Sequence, residues 1–370
     1  MPAHMDTRMR VMVTTVPPKA KGGIVALHQA LFDAPQQGRL SFVFFPFASA
    51  APFTENLASR LVRIVIDSAR FVARLLREPA LRIVHVNTAP DPRALLRDSW
   101  LVILCALTRR KVVLQIHGAV NMAACPGVVR WLAARAFALC GRILVFSRKD
   151  ADLVAALAPG VPVQTFPNAI RTADFAAGDP SLAKDEPRAA AGKTVLCLCR
   201  MIRQKGVFDL LEAVPDILKE CEDTTFVLAG DGPVLAELRE AARRKGLEKS
   251  VRLPGHLSYA DVRKALGAAD VFALPTYYME GMPTAILQAM AAGLPVVASP
   301  AGGIAEVVKD GVHGFIVPPR NPSILAGRIL LLLKNDALRN RIAKANAEFA
   351  RREFDVAVVL EKIEMLYASL

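Results

Sequence analysis

The sequence predicts an α/β protein built on two parallel sheets. Short apolar runs rich in Val, Ile, Leu and Phe alternate along the chain with longer helical patterns, as strands joined by helical crossovers do. A length of 370 residues exceeds what one hydrophobic core usually serves, so two domains are expected. Apolar residues make up 53% and charged residues 22%, a composition of well-buried globular proteins that excludes disordered and fibrous classes.

In the first half the expected strands are RVMVTTV (10–16), SFVFFPF (41–47), RIVHVN (82–87), KVVLQIH (111–117), RILVFS (142–147) and VPVQTF (161–166). In the second half they are TVLCLC (194–199), TFVLAG (225–230), VRLP (251–254), VFALP (271–275), PVVAS (295–299) and GFIVP (314–318). Helices are expected between them, among others at 207–220, 233–246, 283–292 and 321–334. The aperiodic stretch TADFAAGDPSLAKDEPRAAAGK, rich in Ala, Pro, Gly and charge, reads as a linker. The expected divisions are 1–171 for the first domain, 172–193 for the linker, 194–352 for the second domain and 353–370 for a last helix, after a break at REFD (352–355). LVILCAL (101–107) is far short of the roughly 18 apolar residues of a membrane span and reads as a core helix. Before Pro17 there are too few apolar residues for a signal-peptide core of about 7 to 15, so the chain is expected to stay in the cytosol.

The six cysteines form no C-x-x-C pair and have no nearby His at zinc-like spacing, so free thiols in a reducing compartment are expected. Cys197 and Cys199, two apart on a strand, share a face and read as small core residues.

Charge is concentrated in one half. Residues 1–170 carry 21 Lys and Arg against 9 Asp and Glu, a net +12, and the remainder carries +1. Such a field points to an anionic partner, such as a phospholipid surface, a polyprenyl-phosphate acceptor or nucleic acid, or to a solvated Arg-rich face. Against nucleic acid, the chain has four Tyr and two Trp and no basic run interleaved with aromatics.

Ligands of open α/β sheets bind outside the carboxyl ends of strands. The informative residues of the second half fall there: Arg200 after TVLCLC, Gly230-Asp231-Gly232-Pro233 after TFVLA, Thr276 to Glu280 after VFALP, and Gly302-Gly303 after PVVAS. In PTYYMEGMPTAILQAMAAGLPVVA (275–298), Glu280 stands in a Gly/Pro-rich loop that opens a short apolar helix. Free N–H groups and the dipole at that helix start suit a phosphate.

This segment resembles the donor-binding signature of the retaining GT-B glycosyltransferases of family 4 (glycosyl transferases group 1), in which a Glu, seven intervening residues and a second Glu bracket the helix start. The resemblance runs from residue 10 onward and is strongest over 194–320. It implies a GT-B fold, two Rossmann-like domains with parallel sheets facing an interdomain cleft, with the acceptor on the first, the donor on the second and the last helix crossing back. It also implies retaining transfer of a hexose from a nucleotide-diphosphate sugar to a glycan or polyprenyl-linked acceptor in cell-surface polysaccharide synthesis, without cofactor or metal. By the same resemblance, Arg200 and Lys205 clamp the donor pyrophosphate, where charge grows as the glycosidic bond breaks. Glu280 accepts hydrogen bonds from the sugar hydroxyls, the N–H groups of Gly281 and Met282 approach sugar or phosphate, Thr284 adds a hydroxyl, and Gly230 lies in a donor loop. Pro283 suits the first helical position, where its missing N–H costs nothing. Gln288 stands where the family has its second carboxylate, whose charge-assisted bonds to the ribose are about twice as strong as neutral ones.

From the first half, Gly22 and Gly23 in PPKAKGG (17–23) permit close backbone approach to phosphate or sugar. His117 matches the family position whose imidazole contacts the donor sugar. Ser147 and Asn168 also match family positions and read first as helix-capping or loop-shaping residues. Asp150-Ala151-Asp152 has the D-x-D form of metal-dependent transferases, but acidic residues at a helix start simply favour its dipole. No metal site is expected there.

LASRLVRIVIDSARFVARLLR (57–77) places Arg60, Arg63, Arg70, Arg74 and Arg77 on one helical face, with Leu61, Ile64, Val65, Val72, Leu75 and Leu76 largely on the rest. This reads as a helix on an anionic membrane surface through Arg63, Arg70 and Arg74, or as an ordinary domain helix with solvated arginines. Alternative functions are a nucleotide-sugar epimerase or soluble-acceptor transferase on the same fold, and a basic anion-binding or nucleic-acid-binding protein.

Overall fold

The computed structural model describes residues 8–15, 40–47, 57–176 and 192–370. They form two compact units: residues up to Ala169 together with Val356–Leu370, and Ile170–Asp355.

The first unit holds a six-stranded sheet in the order β2-β1-β3-β4-β5-β6. Its strands are β1 Met9–Thr15, β2 Leu40–Pro46, β3 Leu81–Thr88, β4 Lys111–Ile116, β5 Arg142–Val145 and β6 Val163–Thr165, all paired in parallel. The order reverses between β1 and β3, which makes their carboxyl ends a topological switch point. On one face, helix Pro92–Leu107 buries Leu95, Leu101, Val102, Leu104 and Cys105 with Phe71 and Leu75 of helix Leu57–Arg77. LVILCAL is thus the end of a core helix, which starts on Pro92 with the Asp91 carboxylate accepting from the N–H groups of Arg93 and Ala94 at 3.1 Å each. The other face carries Val11, Val13, Ile83, Val113 and Leu144 against Val359, Ile363, Leu366 and Tyr367 of the final helix, Val356–Ala368.

The second unit repeats the plan with β12-β11-β10-β7-β8-β9. Its strands are β7 Thr194–Leu198, β8 Thr225–Ala229, β9 Val251–Gly255, β10 Val271–Leu274, β11 Val296–Ala298 and β12 Gly314–Ile316, again all parallel. Numbered from its own first strand this is the Rossmann order 3-2-1-4-5-6, reversing between β7 and β10. Helices Val207–Glu220 and Pro322–Lys334 press Leu210, Leu211, Val214, Ile217, Leu325 and Ile329 into the core.

Within the stretch read as a linker, Thr172–Phe175 form a 3₁₀ turn instead, because Phe175 is buried in the second core and Thr172 donates from its N–H to Asp355 Oδ2 at 3.2 Å. Residues 177–191 lie outside the described residues. The helical run after residue 335 is two helices, Asp336–Phe354 and Val356–Ala368, separated at Asp355, whose backbone is extended. All six cysteines are unbridged, and Cys197 and Cys199 sit with sulfurs 3.8 Å apart. Among the described residues no helix is long and apolar enough to cross a membrane.

Candidate functional site: the switch point of the second sheet

The segments leaving β7 and β10 flank the reversal of the second sheet, where a crevice opens in such folds. After β7 the chain makes a single 3₁₀ turn, Arg203–Lys205, ended by Gly206 at φ 71°. A Cβ at Gly206 would fall far inside van der Waals contact of the Pro275 carbonyl oxygen, so glycine is what lets this loop lie against the end of β10. The Gln204 carbonyl then laces the two loops together. It accepts from the N–H groups of Tyr277 at 2.8 Å and Tyr278 at 2.9 Å, and from Thr276 Oγ1 at 3.1 Å.

That close approach brings Lys205 and Glu280 into a direct ion pair, with side chains only 13% and 11% exposed. Thr276 Oγ1, fully buried, stands 3.5 Å from the same Glu280 oxygen, and the Lys205 ammonium lies 5.3 Å from the Tyr278 ring centroid. From the loop after β11, the Gly303 N–H reaches the carbonyls of Glu280 at 3.1 Å and Gly281 at 3.0 Å. Two largely desolvated opposite charges, fixed on backbone held from three strands, form a preorganised polar site.

Helix Thr284–Ala291 begins beside this pair. Pro283 is its N-cap with extended backbone (ψ 114°), not its first helical residue as the sequence suggested, and its carbonyl accepts from Ile286 N–H at 3.0 Å. A proline φ serves both positions, so local propensity alone does not separate them. No side chain caps this start, which leaves its leading N–H donors to solvent or to an anion. Gly281, Met282, Pro283 and Thr284 are all partly exposed there, the Met282 side chain packing on the core, and Gln288 is partly exposed one turn on. Gly230 is part of the β8 loop, its N–H bonded to the Gly255 carbonyl at 2.7 Å. Arg200 is exposed at the end of β7.

In the first unit, His117 follows β4, partly exposed, with its N–H on the Thr88 carbonyl at 2.9 Å and its ring edge-on to Phe146 at 5.1 Å. Gly22 and Gly23 lie outside the described residues. Ser147 is an N-cap, its Oγ accepting from Asp150 N–H at 3.1 Å. Asp150 is buried and Asp152 exposed, so the two carboxylates of the D-x-D triplet diverge around the helix rather than converge.

Helix Leu57–Arg77 departs from its simple two-faced reading. Phe71 and Leu75 are buried, but Val62, Val65 and Leu76 are 59%, 67% and 64% exposed. These follow one another at helical spacing, with Ile66, as a second apolar stripe turned to solvent. Arg63, Arg70 and Arg74 run along its flank, Arg70 3.7 Å from Asp67 and Arg74 paired with Glu78. An apolar stripe can point either way, and the partners that decide it are remote in sequence.

Sequence reasoning also missed the Gln204 carbonyl, Tyr278 and Asn87, whose Oδ1 lies 3.1 Å from His117 Nε2. None of them carries a local motif. Only the end of RIVHVN, at Asn87, placed a polar side chain at a strand terminus.

Comparison with known proteins agrees with this architecture. Residues 180–349 match the family described as glycosyl transferases group 1. The chain is similar to the phosphatidyl-myo-inositol mannosyltransferase of Mycobacterium tuberculosis (strain H37Rv), 33% identical over 362 residues that cover 95% of this chain and 90% of that protein. It is also similar to the phosphatidyl-myo-inositol mannosyltransferase of Mycobacterium leprae, 36% identical over 180 residues; there the match spans about half of each protein, 48% of this chain and 47% of the relative. Among solved structures, Anabaena HepE in complex with UDP and glucose superposes with a TM-score of 0.78 at 20% identity, over 98% of this chain and 100% of that one, a likeness of fold. The protein belongs to the glycosyl transferases group 1 family and is a glycosyltransferase of GT-B fold.

Proposed function

We propose that the protein transfers a hexose, with retention of anomeric configuration, from a nucleotide-diphosphate sugar to a lipid-linked or glycan acceptor at the inner face of the cytoplasmic membrane, in the assembly of cell-surface glycans. The observation that carries this reading is the Lys205–Glu280 pair beside an uncapped helix start at the switch point of the second sheet. A diphosphate placed there meets the helix N–H groups and the ammonium of Lys205, with Arg200 exposed at the neighbouring strand end. Both cations stabilise negative charge that grows on the leaving diphosphate, so their effect belongs to the transition state. Glu280, its carboxylate steered by Lys205 and Thr276, accepts from the sugar hydroxyls. The route draws on no cofactor, the nucleotide sugar being a co-substrate.

The relative named a phosphatidyl-myo-inositol mannosyltransferase, matched over nearly the whole chain, supports a hexose donor and a lipid acceptor. Helix Leu57–Arg77 supports the membrane setting, since its exposed apolar stripe with arginines along one flank suits an anionic bilayer surface. The test is a thermal-shift panel of UDP-, GDP-, ADP- and dTDP-sugars. A ligand at 100 times its dissociation constant stabilises by about 2.7 kcal/mol. A shift with one nucleotide class is expected, and no shift with any of them contradicts the reading.

A further inference from the structure

Three neighbouring helices on one face of the first sheet turn apolar side chains away from the sheet as well as toward it. Helix Leu57–Arg77 does so through the stripe described above. Helix Pro92–Leu107 buries Leu95, Leu101 and Leu104, and at helical spacing on its outer side it exposes Leu96, Trp100 and Leu107. The next helix, Gly127–Phe137, repeats the pattern: Val129, Ala133 and Phe137 enter the same core, and Val128, Trp131 and Leu132 are exposed. Trp100 joins the first two helices, donating from Nε1 to Ser68 Oγ at 2.9 Å while 42% of the residue stays exposed. A surface helix ordinarily carries polar residues on that side. In sequence the three helices hold nine Arg and two Asp, with no Lys or Glu, and one of the two, Asp98, is buried in a two-bond pair with Arg97 at 2.7 and 2.9 Å. Both tryptophans of the chain stand in this layer, and the Arg135 guanidinium lies 5.4 Å from the Trp131 ring centroid.

We infer that the outer face of all three helices docks on an anionic phospholipid bilayer, with the indoles of Trp100 and Trp131 at the level of the headgroups. An indole suits that boundary, since it joins a large apolar body to a single N–H donor. Arginine suits it too: its stem lies along apolar surface while the guanidinium reaches lipid phosphates. A broad apolar face edged by cations matches a partner that is apolar within and negative at its surface. A second copy of this chain fits poorly, because a two-fold contact would set the same arginines against one another. The membrane setting proposed above rests on helix Leu57–Arg77 alone. This face brings two further helices to the bilayer and assumes nothing about donor or acceptor.

The chain's own indoles supply the probe. In the full-length protein, Trp131→Phe leaves Trp100 as the sole tryptophan and Trp100→Phe leaves Trp131; Trp100→Tyr replaces the latter if it folds poorly. Each is mixed with vesicles of phosphatidylglycerol and phosphatidylcholine, or of phosphatidylcholine alone, with and without bromine on the acyl carbons nearest the headgroup. With anionic vesicles the emission of both single-tryptophan proteins should shift to the blue and be quenched by bromine, and Val128→Ser with Leu132→Ser should lower partitioning by about tenfold through lost apolar area. Thermal shifts with nucleotide sugars, measured without vesicles, should be the same in these variants as in wild type, and they test the transfer reaction separately. An unresponsive Trp131 would confine any contact to the first two helices and overturn the inference. Equal responses to neutral and anionic vesicles would overturn it as well. A blue shift that grows with protein concentration in the absence of vesicles would identify a second copy as the occupant and overturn it too.

Discussion

Gly206 and Pro275 meet backbone to backbone, and the missing Cβ of Gly206 is what lets Lys205 reach Glu280. Gly206→Ala should therefore push the two loops apart and weaken nucleotide binding as well as lower stability. Gly246 is the control: its φ of 68° is as left-handed, but nothing lies within 4 Å of a Cβ there. Alanine at Gly246 should cost about 1 kcal/mol from backbone conformation alone and leave nucleotide affinity unchanged. Chemical denaturation and calorimetric titration of both variants make the check, and equal affinities would show that the close approach does not serve the site.

Gln288 lacks the charge that would strengthen bonds to ribose hydroxyls. Gln288→Glu should retain transfer and tighten nucleotide binding several-fold, since charge-assisted hydrogen bonds contribute roughly 1.5–3 kcal/mol against about 1 for neutral ones. Competition binding with the free nucleotide measures it. Loss of binding would show that Gln288 faces something other than a ribose.

His313 is buried, 2.9 Å from the Val307 carbonyl and stacked on Phe349 at 4.5 Å. Burial holds its imidazole below the usual histidine range, aided by the charges of Lys309 and Arg352. The unfolded chain takes up a proton at this position below about pH 6.5, and the folded chain resists it. Its contribution to stability is thus complete above that pH and declines as the pH falls below it. Denaturation midpoints between pH 7.5 and 5.5 should fall less steeply in His313→Gln than in wild type.

The central strands among the described residues, such as β4, β10 and β11, were legible because parallel strands buried on both faces read as apolar runs whatever their partners. The loops carrying Arg200, Lys205 and Glu280 were legible for a related reason: a strand's carboxyl end is marked in sequence. Contacts set by distant backbone were not. Asn87 meets Thr14 across 73 residues, and Gln204 is recruited through its carbonyl, a group every residue has. The second apolar stripe of helix Leu57–Arg77 was hidden as well, because periodicity reports that Val65 and Leu76 are apolar but not that Phe71 and Leu75 take the core.

That stripe gives a membrane prediction. Basic groups near an anionic surface contribute about 1 kcal/mol each, so Arg63, Arg70 and Arg74 together shift partitioning by roughly a hundredfold. Co-sedimentation with anionic liposomes should fall by about that factor in the Arg63/Arg70/Arg74→Glu variant and should weaken with salt. Val62→Ser with Val65→Ser should reduce binding at high salt too, because it removes buried apolar area rather than charge. Equal binding by all proteins would leave this helix as solvated surface.

In the proposed function the loops after β7 and β10 hold a nucleotide diphosphate between Lys205, Glu280 and the start of helix Thr284–Ala291. Calorimetric titration of UDP and GDP into wild type, Lys205→Ala and Glu280→Ala tests it most directly, followed by turnover with the sugar of the base that binds. Wild type should bind one of them, Lys205→Ala should lose most of that affinity, and each variant should lower transfer by at least about a hundredfold, as for loss of a group acting in the transition state. Wild-type affinity in Lys205→Ala together with near-wild-type turnover in either variant would contradict the account.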